Sequence, residues 1–504
     1  MQFNTHTVTT EQSFHIPDIQ IPVEGTIPLP EGIAPIQTVL DIAGTAEVSE
    51  VSVCDGKLYL EGVAHFKILY LDAHNEFTGF DAETEFSHLH DLEYTDQLVQ
   101  TLAWCRLGEL NNTVTDGHSV YIQCLVEAET LLSCNRSYPV LDPGTQDRFL
   151  QHRTADVTLS RLGCMRTGKT CLSTQVRVPQ SLPAVKRVLS EHGYAILHKI
   201  VPEEGHAALE GELRLFIVYE STDKNAPLQY LEETLPFSDI IADDALQAHS
   251  KVFAIAGLES VATQPDTQNT DILNISAVIH LCLSCHHTHQ ENIVEDLYHE
   301  QQDIRLTRVA FHSDSISDAV CAKKVLRLSA ELPSDTPEVS RVLFARAYPR
   351  ILNAHQQDGT AMMEGILTVA LCYTTMQSGI RSTQLQLPFE TEVAYTALDP
   401  AAALQVYAFG AYTVAEGSGK ELELKACLDL CIHEVRSQTV YAVQDAALEA
   451  PAARKQTGIF IYYADGKESL WDIAKKFKIN RQTISTLPET DVPPQGHKLI
   501  LVSR

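Results

Sequence analysis

Ala207 to Glu220 reads AALEGELRLFIVYE, and the same frame occurs twice more, as LYLEGVAHFKILYL from Leu58 to Leu71 and AMMEGILTVALCYT from Ala361 to Thr374. Each copy carries a Glu-Gly pair, Glu61-Gly62, Glu210-Gly211 or Glu364-Gly365, followed nine residues after the glutamate by Tyr70, Tyr219 or Tyr373. Five residues before the glutamate stands a glycine (Gly56, Gly205, Gly359), and 21 before it a leucine that closes a Val-Leu pair (Leu40, Leu189, Leu343). A proline lies ten before that leucine, at Pro30, Pro179 and Pro333. Fixed spacing at five positions in three places identifies three homologous modules, with Glu-Gly pairs 149 and 154 residues apart. Leu235-Pro236-Phe237 answers Leu387-Pro388-Phe389, and the first copy keeps Phe86.

The shared block reads as a half-buried strand, because Leu209, Leu213, Leu215, Ile217 and Tyr219 recur with period two. The preceding Asp55-Gly56, Glu204-Gly205 and Asp358-Gly359 suit a tight hairpin that needs positive φ. Each copy ends in another alternating run, Val120 to Leu132, Leu273 to Leu283 and Leu422 to Ile432, so each module is expected to be a β-sandwich or sheet pair. The repeated glutamates have no second acid or histidine at fixed spacing, and general acid-base work needs a positioned partner. They are therefore read as structural, with the following glycine admitting a bulge or a close backbone approach. Cys427 and Cys431 share a strand face by period two and read as core filling.

A chain of 504 residues exceeds what one core usually serves. With 66 acidic against 37 basic residues the formal charge is -29, which repels phosphate backbones and excludes nucleic acid as a partner. The cluster Lys475, Lys476 and Lys478 reads as a solvated helix face. Met1 to Phe14 is polar and shows no secretory pattern, so a cytosolic chain is expected, its twelve cysteines reduced. No apolar run reaches the roughly 18 residues of a membrane helix, so no membrane insertion is expected.

Asp445 to Thr457 turns Ala-rich around Pro451, Arg454 and Lys455 and reads as a linker. Beyond it, Ser469 can cap a helix with Asp472 answering, placing Leu470, Ile473, Ala474 and Phe477 on one face. Asn480 can cap a second short helix with Ile484 and Leu487 inward, and strands over Ile459 to Tyr463 and Lys498 to Val502 complete a β-α-α-β unit. The run from Glu468 to Ala474, then Phe477, then Gln495 to Ile500, resembles a LysM module over residues 459 to 502. That resemblance implies a groove for N-acetylglucosamine glycans such as peptidoglycan, falling here on Lys467, Glu468, Ser469, Leu470, Thr486, Leu487 and Pro488. Lys467 stands where the family usually has Gly, and Leu487 where Asn is common, which leaves glycan and protein as evenly matched rival ligands.

Three such modules with one terminal LysM resemble the SPOCS family of spore-forming Firmicutes. The resemblance implies assembly of the endospore coat in the mother-cell cytosol, at the forespore surface. The implied partners are the coat-basement ATPase SpoIVA or other coat proteins, with the LysM holding protein.

Two motifs point elsewhere. Gly163 to Thr170 (GCMRTGKT) matches the phosphate-loop pattern through Lys169 and Thr170, but an alternating run up to Pro179 follows where a helix is needed. Cys282-Leu283-Ser284-Cys285-His286, with His287 and His289, spells a haem-attachment or zinc-like cluster, yet it ends a strand and no second cysteine pair accompanies it.

The expected architecture is mainly β: three homologous sandwich-like modules (1–150, 151–310, 311–445), a linker (446–457) and a small β-α-α-β LysM-like module (458–504). The expected function is a non-enzymatic scaffold with no catalytic residue, metal or cofactor. A peptidoglycan binder anchored through the helix of Trp471 is the alternative, and nucleotide binding a remote one. Exposed sheet edges leave self-association open.

Overall fold

A computed structural model describes residues 3–92, 99–142, 144, 147–223, 226–316, 320–377, 379–395, 402–451, 458–488 and 490–503. The chain is mainly β. The first module comprises β1 (Thr5–Pro28), β2 (Ile36–Cys54), β3 (Lys57–Asp72), β4 (Phe77–Asp91), β5 (Gln100–Val114) and β6 (Ser119–Leu141). These form two antiparallel sheets, β2-β3-β4 and β1-β6-β5. The second repeats the plan with β7 (Leu150–Arg177), β8 (Val185–Glu203), β9 (His206–Ser221), β10 (Leu228–Ala242), β11 (Lys251–Pro265) and β12 (Ile272–His299). In the third, β13 (Gln302–Ile316) and β14 (Val320–Glu331) together take the place of the long first strand. They pair with successive stretches of β19 (Glu421–Pro451), beside β15 (Val339–Gln357), β16 (Thr360–Thr375), β17 (Ile380–Ala394) and β18 (Ala403–Ser418).

Each sandwich closes over a core drawn from its own module: Leu58, Leu60, Ile68 and Tyr70 against Val120, Ile122 and Val126 in the first, with counterparts in the others. The alternation of the quoted stretch is realised, since Leu209, Leu213, Leu215, Ile217 and Tyr219 are all buried there. The other face of the same strand is not left to water. Phe216 and Val218 are buried too, and Val218 joins Leu40, Leu69, Phe77, Leu189, Phe344 and Cys372 in a cluster to which all three modules contribute.

Three further clusters are shared in the same way. The outer halves of β1/β6, β7/β12 and β13/β19 project beyond the sandwiches as two-stranded ribbons. Isolated ribbons of this kind are marginal in water, and these bury their inner faces against one another. One layer combines Val8, Val140, Leu159, Ile293, Phe311 and Val440, and the next Phe3, Leu141, Leu150, Leu297, Val443 and Ala446. A third, around Trp104, Phe253, Cys282 and Tyr407, lies where ribbons meet sandwiches. The modules are thus wrapped around a common axis like three subunits of a trimer.

A polar layer sits within this stalk. The Glu11 carboxylate lies 2.8 Å from His286 Nδ1 and accepts from Ser133 Oγ at 2.6 Å and Ser160 Oγ at 3.1 Å. Thr10 Oγ1 donates to Ser313 Oγ at 2.7 Å. Burial works to raise the Glu11 pKa, and His286 with the serine hydroxyls brings it below the ordinary carboxylate value.

Three expectations about boundaries and faces change. Residues 446–451 continue β19, Ala446 facing Leu306 and Pro451 facing Gln302; of the expected linker, 452–457 lie outside the described residues. Because β13 pairs with β19, the third module starts at Gln302 instead of residue 311. Cys427 and Cys431 do share a face, but Leu422, Leu424, Ala426, Leu428 and Leu430 fill the sandwich, so the cysteines lie on the opposite face.

Candidate functional site

The C-terminal unit runs β20 (Gly458–Tyr463), α1 (Leu470–Phe477), β21 (Ile484–Ser485) and β22 (Lys498–Ser503), with the sheet ordered β20-β22-β21. Ser469 caps α1 through a reciprocal capping box: its hydroxyl accepts from the Asp472 N–H, and the Asp472 carboxylate accepts from the Ser469 N–H. The expected second helix is reduced to one 3₁₀ turn, Arg481–Thr483, capped by Asn480. Ile484 turns inward as expected. Leu487 does not: it is 57% exposed, because the chain after Ser485 turns through Thr486 at φ 66° instead of continuing a helix.

This unit is seated on the stalk. A register shift between Val294 and Asp296 in β12 re-aims the Asp296 carboxylate. It accepts from the Trp471 indole N–H at 2.8 Å and from Lys475 at 2.6 and 2.7 Å, and from Arg308 of β13 at 2.8 Å. Tyr298 meets the indole edge-on with ring centroids 5.0 Å apart and donates its hydroxyl to the Ile479 carbonyl at 2.6 Å. Burial pushes the Asp296 pKa up, but Lys475, the indole N–H and Arg308 outweigh it and hold the group below its ordinary value. The lysines read as a solvated face are therefore employed: Lys475 binds Asp296, Lys478 pairs with Asp303, and Lys476 pairs with Glu468 at 2.8 Å. Trp471 is buried in this junction.

The predicted groove residues fall in two loops. Lys467 and Glu468 turn their N–H groups to the Asp465 carboxylate at 2.8 and 3.1 Å, and Glu468 also accepts from the Tyr462 hydroxyl. Ser469 serves the cap, and Leu470 is buried in the unit's core. Thr486 Oγ1 donates to the Lys498 carbonyl at 2.8 Å; Leu487 faces outward and Pro488 is half-buried. The Leu470 N–H donates to the Asp491 carbonyl at 2.8 Å, tying the start of α1 to the segment beyond Pro488. More open is the outer face of the sheet, where Ile459, Ile461 and Tyr463 alternate at 72%, 57% and 63% exposure beside half-buried Ile500 and Val502.

The repeated residues have a shared structural task. Opposite each Glu-Gly pair the partner strand bulges, between Val48 and Glu50, Leu197 and Lys199, and Ile351 and Asn353. A side chain on Gly62, Gly211 or Gly365 would strike both a backbone carbonyl and the ring of Phe86, Phe237 or Phe389, with Cβ approaches of 2.2 to 2.7 Å to the nearest atoms. Tyr70, Tyr219 and Tyr373, fully buried, donate to the carbonyls of Ala34, Pro183 and Pro337 at 3.0, 3.0 and 3.2 Å and pin the loop that follows the repeated proline. The glutamates share no partner: Glu61 accepts from Tyr59, Glu210 pairs with Lys199 at 2.6 Å, and Glu364 is exposed.

Gly163 to Thr170 lies wholly in strand β7, with Lys169 paired to Glu259 at 2.6 Å, so this stretch forms no phosphate loop. Cys282 and Cys285, three apart on a strand, face opposite ways, one into the inter-module layer and one into the sandwich core. His286 is taken by Glu11, and among the described residues no group of three or more His, Cys, Asp or Glu could hold a metal. No helix among them is long and apolar enough to cross a membrane. Asp296 and Tyr298 carry no sign of docking in the sequence, since a lone acid in a strand has no spacing signature.

Residues 35–115, from β2 through β5, match the family described as SipL, SPOCS domain. No curated protein and no solved structure gives a significant match. Over residues 35–115 the chain is thus similar to the SipL SPOCS domain.

Proposed function

We propose that this chain is a non-enzymatic scaffold of endospore coat assembly, acting in the mother-cell cytosol at the forespore surface and binding a SpoIVA-like coat ATPase. The observation that carries this reading is the match of residues 35–115 to the SipL SPOCS domain. In support, the residues repeated in all three modules serve bulges, turns and loop anchors, leaving the outer surfaces of one trimer-like body for partners. The C-terminal unit is the protein-binding element in this proposal. Its outer sheet face offers clustered apolar side chains, the usual mark of a protein contact.

Cosedimentation of the full chain, and of a chain lacking residues 458–504, with SpoIVA polymers and with peptidoglycan sacculi tests this. Binding to SpoIVA that weakens on deletion supports the scaffold reading. Binding to sacculi alone would replace it with a peptidoglycan-anchored protein.

A further inference from the structure

The three modules converge on the common axis around a cavity of about 320 Å³, lined from both sheets of the sandwiches. Gly44, Gly193 and Ala347 are equivalent positions in the repeat, as are Thr45, Tyr194 and Tyr348, and all six line it. One residue before the glycine position the equivalence breaks. Ala43, His192 and Arg346 are all buried, but they differ in chemistry, and the last two face the cavity.

Arg346 is 3% exposed. One of its terminal nitrogens donates to Asp41, itself buried, and its Nε and Nη1 have no partner. His192 Nδ1 is also unpartnered, and its ring stacks on Phe216 with centroids 4.9 Å apart. Burial, with Arg346 nearby, holds His192 well below its ordinary pKa, so the imidazole is neutral and keeps one donor and one acceptor nitrogen. Leaving a charged donor buried and unpaired costs more than leaving a neutral one so. Such groups in folded proteins are met by water or a ligand.

Three properties of the cavity favour a ligand. Its volume lies within the roughly 300–1,000 Å³ range of small-molecule sites. Flat aromatic surfaces line it: Phe216 stacks with Tyr230, and Tyr194 with Phe409 at 5.3 Å. Its charged groups balance, Arg106, Arg346 and Arg350 meeting Glu127, Asp41 and Asp18, yet the donors of Arg346 are not all taken. Arg106 and Arg350 are partly exposed and reach Glu127 at 2.9 and 3.8 Å, whereas the free donors of Arg346 lie deep.

We infer that the axial cavity is a binding site for a small carboxylate with a planar, apolar body, the carboxylate meeting the unpartnered guanidinium nitrogens of Arg346 and the body lying among the aromatic rings. This site is independent of the coat role and of the C-terminal unit.

Isothermal titration of the full chain with benzoate, and with benzamide as its neutral isostere, tests the assignment. Gly257 lines the cavity and an added Cβ there meets nothing within 4 Å, so Gly257→Leu fills the space without displacing backbone. The double substitution Arg346→Gln with Asp41→Asn removes the charge while leaving neither partner ionised and alone. Benzoate is expected to bind once per chain, and benzamide at least about tenfold more weakly, as loss of a hydrogen bond to a charged group predicts. Binding should be lost in Gly257→Leu and weakened by a similar factor in the double variant, with circular dichroism unchanged in both. Absence of benzoate binding, equal affinity for benzamide, or binding that survives Gly257→Leu would each overturn the inference.

Discussion

Gly211 lies under the ring of Phe237 and against the Ile196 carbonyl, with a Cβ approach of 2.5 Å to each. Gly211→Ala should therefore cost about 1–3 kcal/mol, the range of overpacked sites, visible as a lower urea midpoint at an unchanged slope. Tyr219→Phe keeps the buried ring and removes one hydroxyl bond to the Pro183 carbonyl, for a loss of about 1 kcal/mol. Equal losses at Gly62 and Tyr70 would show that the signature does the same work in each copy, whereas no loss at Gly211 would contradict the close-approach reading. These residues were legible in the sequence because their task is local to one hairpin, and the same hairpin was written three times at the same spacing. Arg346 and Asp41 were not, because they occur in single copies that meet only across modules.

Among elements, the two-stranded ribbons have the most to lose from a polar defect. Glu11→Ala would leave His286 buried without its acid, and removing one member of a buried pair costs about 3–5 kcal/mol. Glu11→Gln should cost less, which a comparison of thermal midpoints will decide. The seat of α1 on β12 depends in turn on Asp296. Its folded pKa is depressed below the ordinary 3.8, so its contribution is present in full above that value and is lost as pH falls through the folded pKa. Trp471 emission should accordingly shift to the red in acid below the ordinary carboxylate range, and Asp296→Ala should produce the shift already at neutral pH. Trp104, the other tryptophan of the sequence, sits in the inter-module layer and serves as the internal reference. An unchanged spectrum in Asp296→Ala would mean that the contact with Tyr298 suffices to hold the unit. The helix and its cap were readable from Ser469 to Phe477, but its partner surface was not, since the lysines that dock look the same in sequence as lysines in water.

At the scale of the molecule, each sandwich has its own core, yet four smaller clusters take residues from all three modules among the described residues. A chain truncated to residues 1–142 would expose its share of all four: Leu40, Leu69, Leu102, Leu131, Val8 and Leu141 among them. It is expected to self-associate, with a trimer as the species that restores the missing contacts, and sedimentation velocity will report it. A folded monomer would show that the modules are independent and that their shared layers add little.

What recurs over short distances was legible from the residues alone: β structure from period-two alternation, hairpins from Asp-Gly and Glu-Gly turns, and a close backbone approach at the glycine after Glu. So was the existence of three copies. Tertiary structure alone decided the second face of each strand. Alternation specifies one buried face, but whether the other meets water or a neighbouring module depends on residues some 150 positions away. For that reason Val218, Asp296 and Arg346 became legible only after the three modules had closed around their axis.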